Sequence, residues 1–178
     1  INLKELRKCC GSHAVVSTAR IEASKIGIDI LKRGGNAVDA AVAVGFALGV
    51  CEPSTSGLGG GGFMLIKEQN QVQPVLLDFR ECAPRGAAPN MWRLGEDGKP
   101  LHKEHAIGGK SVAVPGEVAG LLTALKLYGT MSKEDVILPA AELAERGIVV
   151  TQMMQDHFSD QAENLHRYKG SRQLYQEQ

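Results

Sequence analysis

Four consecutive residues, Asp78-Phe79-Arg80-Glu81, carry the groups that recognise a carboxylate. They lie at the end of a predicted strand, residues 74–79, and beside a long irregular segment. The guanidinium of Arg80 can donate two parallel hydrogen bonds to a ligand carboxylate, and Glu81 can hold that guanidinium in place. The same residues can also form a local ion pair that only ties the strand to the loop. Spacing alone favours the local pair and leaves the ligand-binding role open.

Other familiar motifs are ruled out by their surroundings. Residues 57–62 match G-x-G-x-x-G, but a dinucleotide fingerprint needs a strand before it and a helix after it. Here a predicted helix precedes the glycines and a predicted strand follows them, and the run lacks the Gly-Lys-Ser/Thr ending of a phosphate-binding loop. The sequence contains no G-x-S-x-G. His102 and His105 lie without a third ligand nearby, so we interpret them as solvated and predict neither a metal nor a cofactor.

A buried helix and a hairpin are predicted to position the arginine segment. Residues 36–50 are apolar on nearly every face, and Asn36 with Asp39 can form a capping box at the start of this helix. Such a helix is typical of a layer enclosed by other elements. Residues 63–67 and 74–79 are short, mostly apolar runs that predict two neighbouring strands, and the polar residues 68–71 between them suit a hairpin turn.

Two segments on either side of these elements carry weaker patterns. Residues 14–17 are predicted to form a short buried strand, and Ser17 or Thr18 to cap the helix that follows it. Residues 83–109 are broken up by proline and glycine, which indicates a long connection. Long ordered connections in compact domains are often functional.

The last third of the chain is predicted to be mostly helical. A helix opens at residues 115–117 and ends at Gly129, and Ser132 can cap another helix. Pro139 would break a continuous helix, so we expect it in the first turn of a fresh one running to about Arg146. Together these elements predict a layered arrangement of helices and strands.

The composition excludes several classes of function. Lys plus Arg and Asp plus Glu each number 20, so the formal net charge is zero. A neutral chain has no long-range field for a polyanion, which argues against nucleic acid or an anionic membrane surface as the main partner. Hydrophobic residues make up 43% of the chain, which is too much for general disorder. The four cysteines, Cys9, Cys10, Cys51 and Cys82, contain no C-x-x-C pair, and we interpret them as free.

Six motifs in a fixed order make the chain resemble the gamma-glutamyltransferase family. The similarity extends over residues 12–158. The motifs are residues 30–43 (ILKRGGNAVDAAVA), 52–65 (EPSTSGLGGGGFML), 78–84 (DFRECAP), 114–120 (VPGEVAG), 128–131 (YGTM) and 139–147 (PAAELAERG).

The resemblance implies an α+β fold of the N-terminal-nucleophile hydrolase class, a four-layer αββα sandwich of which this chain supplies part. Family precursors cut themselves into a large and a small subunit, and the new N-terminal Thr of the small subunit attacks the gamma-glutamyl carbonyl. Residues 1–178 correspond to a single segment from the N-terminal part of the large subunit, with a tail of uncertain structure over 159–178. We therefore expect no catalytic residue in this chain and no activity from it alone.

The resemblance assigns a substrate role to Arg80. In the family, the arginine of an Arg-Glu motif binds the alpha-carboxylate of the glutamyl substrate, and Arg80 stands at the matching position with Glu81 as its support. The implied partners are the remainder of the large subunit, the small catalytic subunit and a gamma-glutamyl substrate such as glutathione, with no nucleic acid. The family resemblance also suggests a periplasmic, secreted or cell-surface location.

Two alternatives stay open beside this interpretation. One keeps the fold and changes the acyl group, as in a cephalosporin-acylase-like amidase or a depolymerase of poly-gamma-glutamate. The other is a non-catalytic homologue that serves binding or assembly. A downstream Thr at which the precursor cuts itself would separate the enzymes from the non-catalytic protein.

Overall fold

The computed structural model describes residues 10–175, and within them the chain forms seven α-helices and one antiparallel sheet of two strands. These residues divide into two compact units. The first contains the described residues up to Arg80 together with Gly116–Ile148, and the second contains Glu81–Pro115 together with the described residues from Val149. In chain order the elements are α1 (Ile21–Lys32), α2 (Ala37–Cys51), β1 (Phe63–Ile66), β2 (Val75–Asp78), α3 (Glu117–Tyr128), α4 (Lys133–Arg146), α5 (Gln152–Asp160), α6 (Ala162–Arg167) and α7 (Lys169–Tyr175).

Helix α2 is the centre of the first unit. Because it is apolar on nearly every face, it can pack against several neighbours at once, and it lies against α1, α3 and α4. Val42, Ala43 and Ala47 have no exposed surface. The prediction of a buried core helix over this segment is confirmed.

The start of α2 is fixed by the predicted capping box. The Asn36 side-chain oxygen accepts hydrogen bonds from the N–H groups of Val38 and Asp39, at 2.8 and 3.0 Å. In return, Asp39 Oδ2 accepts from the Asn36 N–H at 2.7 Å. These bonds satisfy donors that a helix N-terminus otherwise leaves without partners.

Asp39 also joins α2 to the turn between α3 and α4. Its carboxylate, which has no exposed surface, accepts from the Thr130 N–H at 2.9 Å, the Thr130 hydroxyl at 2.7 Å and the Met131 N–H at 3.1 Å. Burial alone would raise the pKa of Asp39, but the hydrogen bonds from Thr130 and from the Asn36 and Met131 backbone outweigh it and lower that pKa. Gly129 allows this approach, because a Cβ there would lie 2.7 Å from Asp39 Oδ1.

The hairpin of β1 and β2 is confirmed, and its two faces differ. The strands pair from Phe63 with Asp78 through to Ile66 with Val75. Met64, Ile66 and Leu77 pack into the core of the first unit. The opposite face is apolar and exposed, with Phe63, Leu65 and Leu76 retaining 58, 69 and 59% of their accessible surface.

The N-terminal prediction for residues 14–17 is wrong. An extended segment becomes a strand only where another strand supplies hydrogen bonds, and among residues 10–175 the sheet contains only β1 and β2. Val15 is accordingly 55% exposed rather than buried. Thr18 does not cap α1 as predicted. Its hydroxyl instead donates to the Arg20 carbonyl at 2.5 Å, and Arg20 stands at the N-cap position.

Pro139 lies inside α4 rather than at the start of a new helix, so that prediction is also wrong. Ser132 caps α4 as predicted, and the helix continues across the proline to Arg146. A proline at this position removes one backbone donor. Because Val136, Ala140 and Leu143 on the same helix are buried in the core, their packing holds the segment helical despite that loss.

The second unit contains a long connection and three short helices. Residues 83–109 are mostly irregular, as predicted, with single bridges between Cys82 and Val114 and between Leu94 and Pro100. The predicted tail is helical in α6 and α7, and residues 176–178 lie outside the described part. The assignment of residues 1–178 to one segment of a longer subunit stays a prediction. None of the helices in the described part is both long and apolar enough to cross a membrane.

The cysteine interpretation holds for the residues that are described. Cys10, Cys51 and Cys82 form no disulfide, and Cys51 is buried while the other two are exposed. Burial raises the pKa of the Cys51 thiol, which keeps it protonated and unreactive near neutral pH. Cys9 lies outside the described residues.

Candidate functional site

Arg80 lies two residues beyond the last residue of β2, and its side chain is exposed. The sequence pattern predicted this position for Arg80, at the end of the second strand. Glu81, which is half-buried, is the first residue of the second unit. Its role as a support for the guanidinium stays a prediction.

The carboxylate of Asp78 organises the main chain just before Arg80. Asp78 Oδ1 accepts a hydrogen bond from the Arg80 N–H at 3.0 Å. This is the local turn that aspartate side chains favour, in which the carboxylate bonds to the backbone two residues on. Asp78 is also the partner of Phe63 in the sheet, so the turn begins from a fixed strand position.

Phe79, between these two residues, sits against three glycines. Its N–H donates to the Gly62 carbonyl at 3.0 Å, which continues the hairpin by one bond. A Cβ at Gly120 would lie 2.0 Å from the Phe79 ring, and one at Gly62 would lie 3.3 Å from it. A Cβ at Gly116 would lie only 2.0 Å from the Phe79 carbonyl oxygen. The ring and carbonyl of Phe79 therefore occupy space that only glycine leaves open.

The glycine-rich loop before β1 is bonded to the first turn of α3. The carbonyl of Gly60 accepts from the N–H groups of Gly116 and Glu117, at 2.9 and 3.0 Å. Two of the donors at the start of α3 are thus used within the protein rather than offered to an anion. These contacts give the glycine run a structural role. In chemical terms, the site is an exposed guanidinium carried on a rigid turn, which suits recognition of a carboxylate.

A second charged cluster lies in the long connection of the second unit. Glu104 accepts from Arg93 Nε at 2.8 Å, and Lys110 Nζ lies 3.3 Å from its other oxygen. The Arg93 guanidinium, helped by Lys110, lowers the pKa of Glu104 to about 2. Because Glu104 bonds to both cations, the cluster ties the loop together.

Two charged side chains of the first unit, Arg20 and Glu52, are buried although no sequence pattern indicated it. Arg20 pairs with Glu22 at 3.3 Å, and this hydrogen bond raises the pKa of Arg20. The charge of Glu52, which is buried, contributes to the same shift. Glu52 Oε1 accepts from the Thr55 hydroxyl at 3.2 Å, at the start of the segment that leads to the glycine loop. Both charges serve the local structure.

The histidines that could have suggested a metal do not meet further ligands. His102 and Lys103 both adopt left-handed backbone angles, with φ of 52° and 56°. Among the residues that the structure describes, no group of three or more His, Cys, Asp or Glu side chains could hold a metal ion.

Comparisons with known proteins agree on one family. A family model described as Gamma-glutamyltranspeptidase matches residues 23–178. The Glutathione hydrolase proenzyme of Bacillus subtilis (strain 168) is 45% identical over 158 residues, which are 88% of this chain and 27% of that protein. The Acylase ACY 1 proenzyme of Pseudomonas sp. (strain V22) is 39% identical over 171 residues, 93% of this chain and 30% of that protein. The chain therefore spans less than a third of the length of these relatives.

The fold leads to the same family. The crystal structure of Helicobacter pylori gamma-glutamyltranspeptidase matches with a TM-score of 0.87 and 38% identity, covering 93% of this chain and 47% of that chain. The predicted α+β class and the N-terminal-nucleophile hydrolase fold are confirmed. With the motifs, the turn that carries Arg80 and the matched fold in agreement, this chain belongs to the gamma-glutamyltranspeptidase family.

Proposed function

We propose that this chain is the N-terminal part of the large subunit of a gamma-glutamyl transferase or hydrolase. The whole protein cleaves the gamma-glutamyl amide bond of glutathione-like substrates. The observation that carries this proposal is the exposed Arg80 side chain. It lies on a turn just after β2, and a hydrogen bond from the Arg80 N–H to Asp78 ties this turn to the end of the strand. The name of the B. subtilis relative, a glutathione hydrolase proenzyme 45% identical to this chain, supports the substrate class.

In this proposal, Arg80 binds the alpha-carboxylate of the glutamyl group, and Glu81 supports its guanidinium. The planar guanidinium can place two parallel N–H donors on the two carboxylate oxygens, which fixes both position and orientation. Hydrogen bonds to charged groups contribute about 1.5–3 kcal/mol each. A substrate that lacks this carboxylate loses the interaction and leaves the guanidinium without its ligand.

The nucleophile comes from the small subunit. Its N-terminal Thr hydroxyl attacks the gamma-carbonyl carbon, the amide C–N bond breaks, and the leaving amine takes the proton. Water then releases glutamate from the acyl-enzyme, or an amino-acid or peptide amine takes the glutamyl group. The part played by this chain is to hold the alpha-carbon end of the donor so that its carbonyl lies at the Thr hydroxyl.

The exposed face of the hairpin supports the proposed partners. Phe63, Leu65 and Leu76 form a contiguous apolar surface on the side of the sheet that faces away from the helices. A protein rarely leaves such a face in water. We propose that the remainder of the large subunit and the small subunit cover it in the whole protein.

An acylase acting on a different acyl group is the second candidate, because the Pseudomonas acylase proenzyme is 39% identical to this chain. A depolymerase of poly-gamma-glutamate is a variant of the same reaction. Arg80 favours the gamma-glutamyl donor over an acyl group with no carboxylate. A non-catalytic role in binding or assembly predicts a whole protein that neither cuts itself nor turns over any amide.

The test uses the full-length, self-cleaved protein and two chromogenic anilides, one carrying a gamma-glutamyl group and the other a 4-aminobutyryl group. The two acyl groups differ only in the alpha-carboxylate. We define the donor preference as the ratio of their kcat/KM values. The wild type should prefer the gamma-glutamyl anilide by at least about tenfold, since two charge-assisted hydrogen bonds are at stake.

Replacing the arginine should remove that preference. Arg80→Ala should bring the ratio close to one, and Arg80→Lys, which keeps the charge and loses the fork, should give an intermediate value. Arg85→Ala changes another exposed arginine and serves as the control that leaves the ratio unchanged. An Arg80→Ala protein with the wild-type ratio contradicts the proposal, and a wild type without any preference favours the acylase.

A further inference from the structure

We propose that Asp78 and Gly116 are positioning residues for Arg80, holding the peptide unit between Phe79 and Arg80 in the orientation that directs the guanidinium to its ligand. The inference rests on the proposed function, in which that ligand is the alpha-carboxylate of the donor. It adds two residues that do not touch the substrate and act through the main chain.

Asp78 holds the nitrogen end of this peptide unit. Its Oδ1 accepts from the Arg80 N–H at 3.0 Å. The Asp78 side chain is exposed and lies on the face of the sheet that carries Phe63, so it contributes little to the packed core. A residue with this environment can be changed with little effect on the rest of the fold.

Gly116 leaves the space that the carbonyl end of the same unit occupies. A Cβ on Gly116 would lie 2.0 Å from the Phe79 carbonyl oxygen and 2.9 Å from its carbonyl carbon. The backbone of Gly116 is itself fixed, because its N–H donates to Gly60 at 2.9 Å at the start of α3. Its φ of −114° is accessible to any residue, so the need for glycine here is a need for space.

A peptide unit is planar, so the bond at its N–H end and the free space at its carbonyl end together define its orientation. The Cα of Arg80 belongs to that plane, and the direction of its side chain follows from it. A bidentate contact tolerates about 0.5 Å and 10–20° of error. Loss of the bond or of the space should therefore weaken recognition of the carboxylate while the chemistry at the Thr continues.

The test measures the donor preference defined above in the full-length, self-cleaved protein. Asp78→Ala removes the acceptor, and the preference should fall about fivefold, the effect of one hydrogen bond on the orientation. Asp78→Asn keeps an acceptor oxygen in the same place and should restore most of it. The loss should enter through KM for the gamma-glutamyl anilide, with kcat within about twofold of wild type.

Gly116→Ala tests the carbonyl end and should lower the preference further, since the added methyl group must displace the Phe79 carbonyl. Gly59→Ala is the matched control, because nothing lies within 4 Å of a Cβ there, and it should behave as wild type. Self-cleavage and the melting temperature of each variant show that the fold is retained. If Gly116→Ala does not fold, the Asp78 pair decides the question alone.

The outcomes separate this inference from the function on which it rests. If Arg80→Ala abolishes the preference and Asp78→Ala leaves it within twofold of wild type, the positioning role is wrong and the function stands. If Asp78→Asn is as impaired as Asp78→Ala, the effect comes from the charge and the positioning role is also wrong. If Arg80→Ala leaves the preference unchanged, both fall together.

Discussion

Two aspartates do similar work in opposite surroundings. Asp39 lies at the start of α2, has no exposed surface and accepts four hydrogen bonds, three of them from the turn between α3 and α4. Asp78 lies at the end of β2, is exposed, and accepts one bond from the Arg80 N–H. Both carboxylates accept hydrogen bonds from the main chain. Only the main chain bonded to Asp78 carries an exposed side chain with a proposed function, that of Arg80.

The two regions differ in how many backbone N–H groups would lose their acceptor if the carboxylate were removed. Without Asp39, partly buried N–H groups on three residues lose their acceptor, and an unsatisfied donor away from water is costly. Without Asp78, only one N–H loses its acceptor. The region around Asp39 therefore determines stability, and the turn around Asp78 can be specialised for binding.

The largest effect is expected in the helix that Asp39 begins. Val42→Asp places an unpaired charge where the wild-type side chain has no exposed surface. The full-length protein should lose about 4 kcal/mol or more of unfolding free energy, or fail to accumulate in soluble form. Urea unfolding followed by circular dichroism measures the loss. A soluble variant of undiminished stability would show that α2 is not the core.

Removal of Asp39 should have the next largest effect. Asp39→Ala leaves the Asn36, Thr130 and Met131 N–H groups without an acceptor, and we expect a loss of about 3 kcal/mol in the same unfolding experiment. Asp39→Asn keeps one acceptor oxygen and should lose less. Equal stability of Asp39→Ala and wild type contradicts the structural role given to this carboxylate.

The pH dependence of stability sharpens the contrast. The pKa of Asp39 is lower in the folded protein than its ordinary value of 3.8, so its contribution to stability is complete above that value. The contribution is lost as pH falls through the folded pKa. The wild type should therefore lose more stability than Asp39→Asn between pH 5 and about pH 3. Parallel stability curves for the two proteins would argue against this.

The smallest effect on stability is expected at the other aspartate. Asp78→Ala should change the unfolding free energy by less than about 1 kcal/mol, because it removes a single hydrogen bond. The same substitution should nevertheless reduce the donor preference. A destabilisation as large as that of Asp39→Ala would erase the distinction between the two regions.

The local contacts of both aspartate regions could be predicted from the sequence, but the long-range contacts could not. The capping box of Asn36 and Asp39 is local, with residues three positions apart, so the pattern alone revealed it. The hairpin that ends at Asp78 was predicted from two short apolar runs and the polar turn between them, and so was the place of Arg80 at its end. The bonds from Asp39 to residues 130 and 131 span more than 90 positions and had no local signal.

The other features that the sequence did not predict also depend on contacts between segments that are distant along the chain. The contact between Phe79 and Gly116 depends on two segments meeting in space, and the glycine in a Pro-Gly-Glu opening looked like a helix start only. Residues 14–17 have a strand-like composition, but a strand needs a partner that the described chain does not supply. The prediction that Pro139 begins a new helix failed because core packing of α4 outweighed the low helix propensity of proline.

The central claim is that Arg80 binds the alpha-carboxylate of the donor. Inhibition by two small amino acids tests this claim through binding alone, because neither contains an amide bond to cleave. L-glutamate and 4-aminobutyrate differ in that carboxylate alone, and their inhibition constants are measured on the full-length, self-cleaved protein. We predict that the wild type binds L-glutamate at least about tenfold more tightly and that Arg80→Ala binds both about equally. If Arg80→Ala keeps the wild-type ratio of the two constants, Arg80 does not bind the carboxylate and the account is wrong.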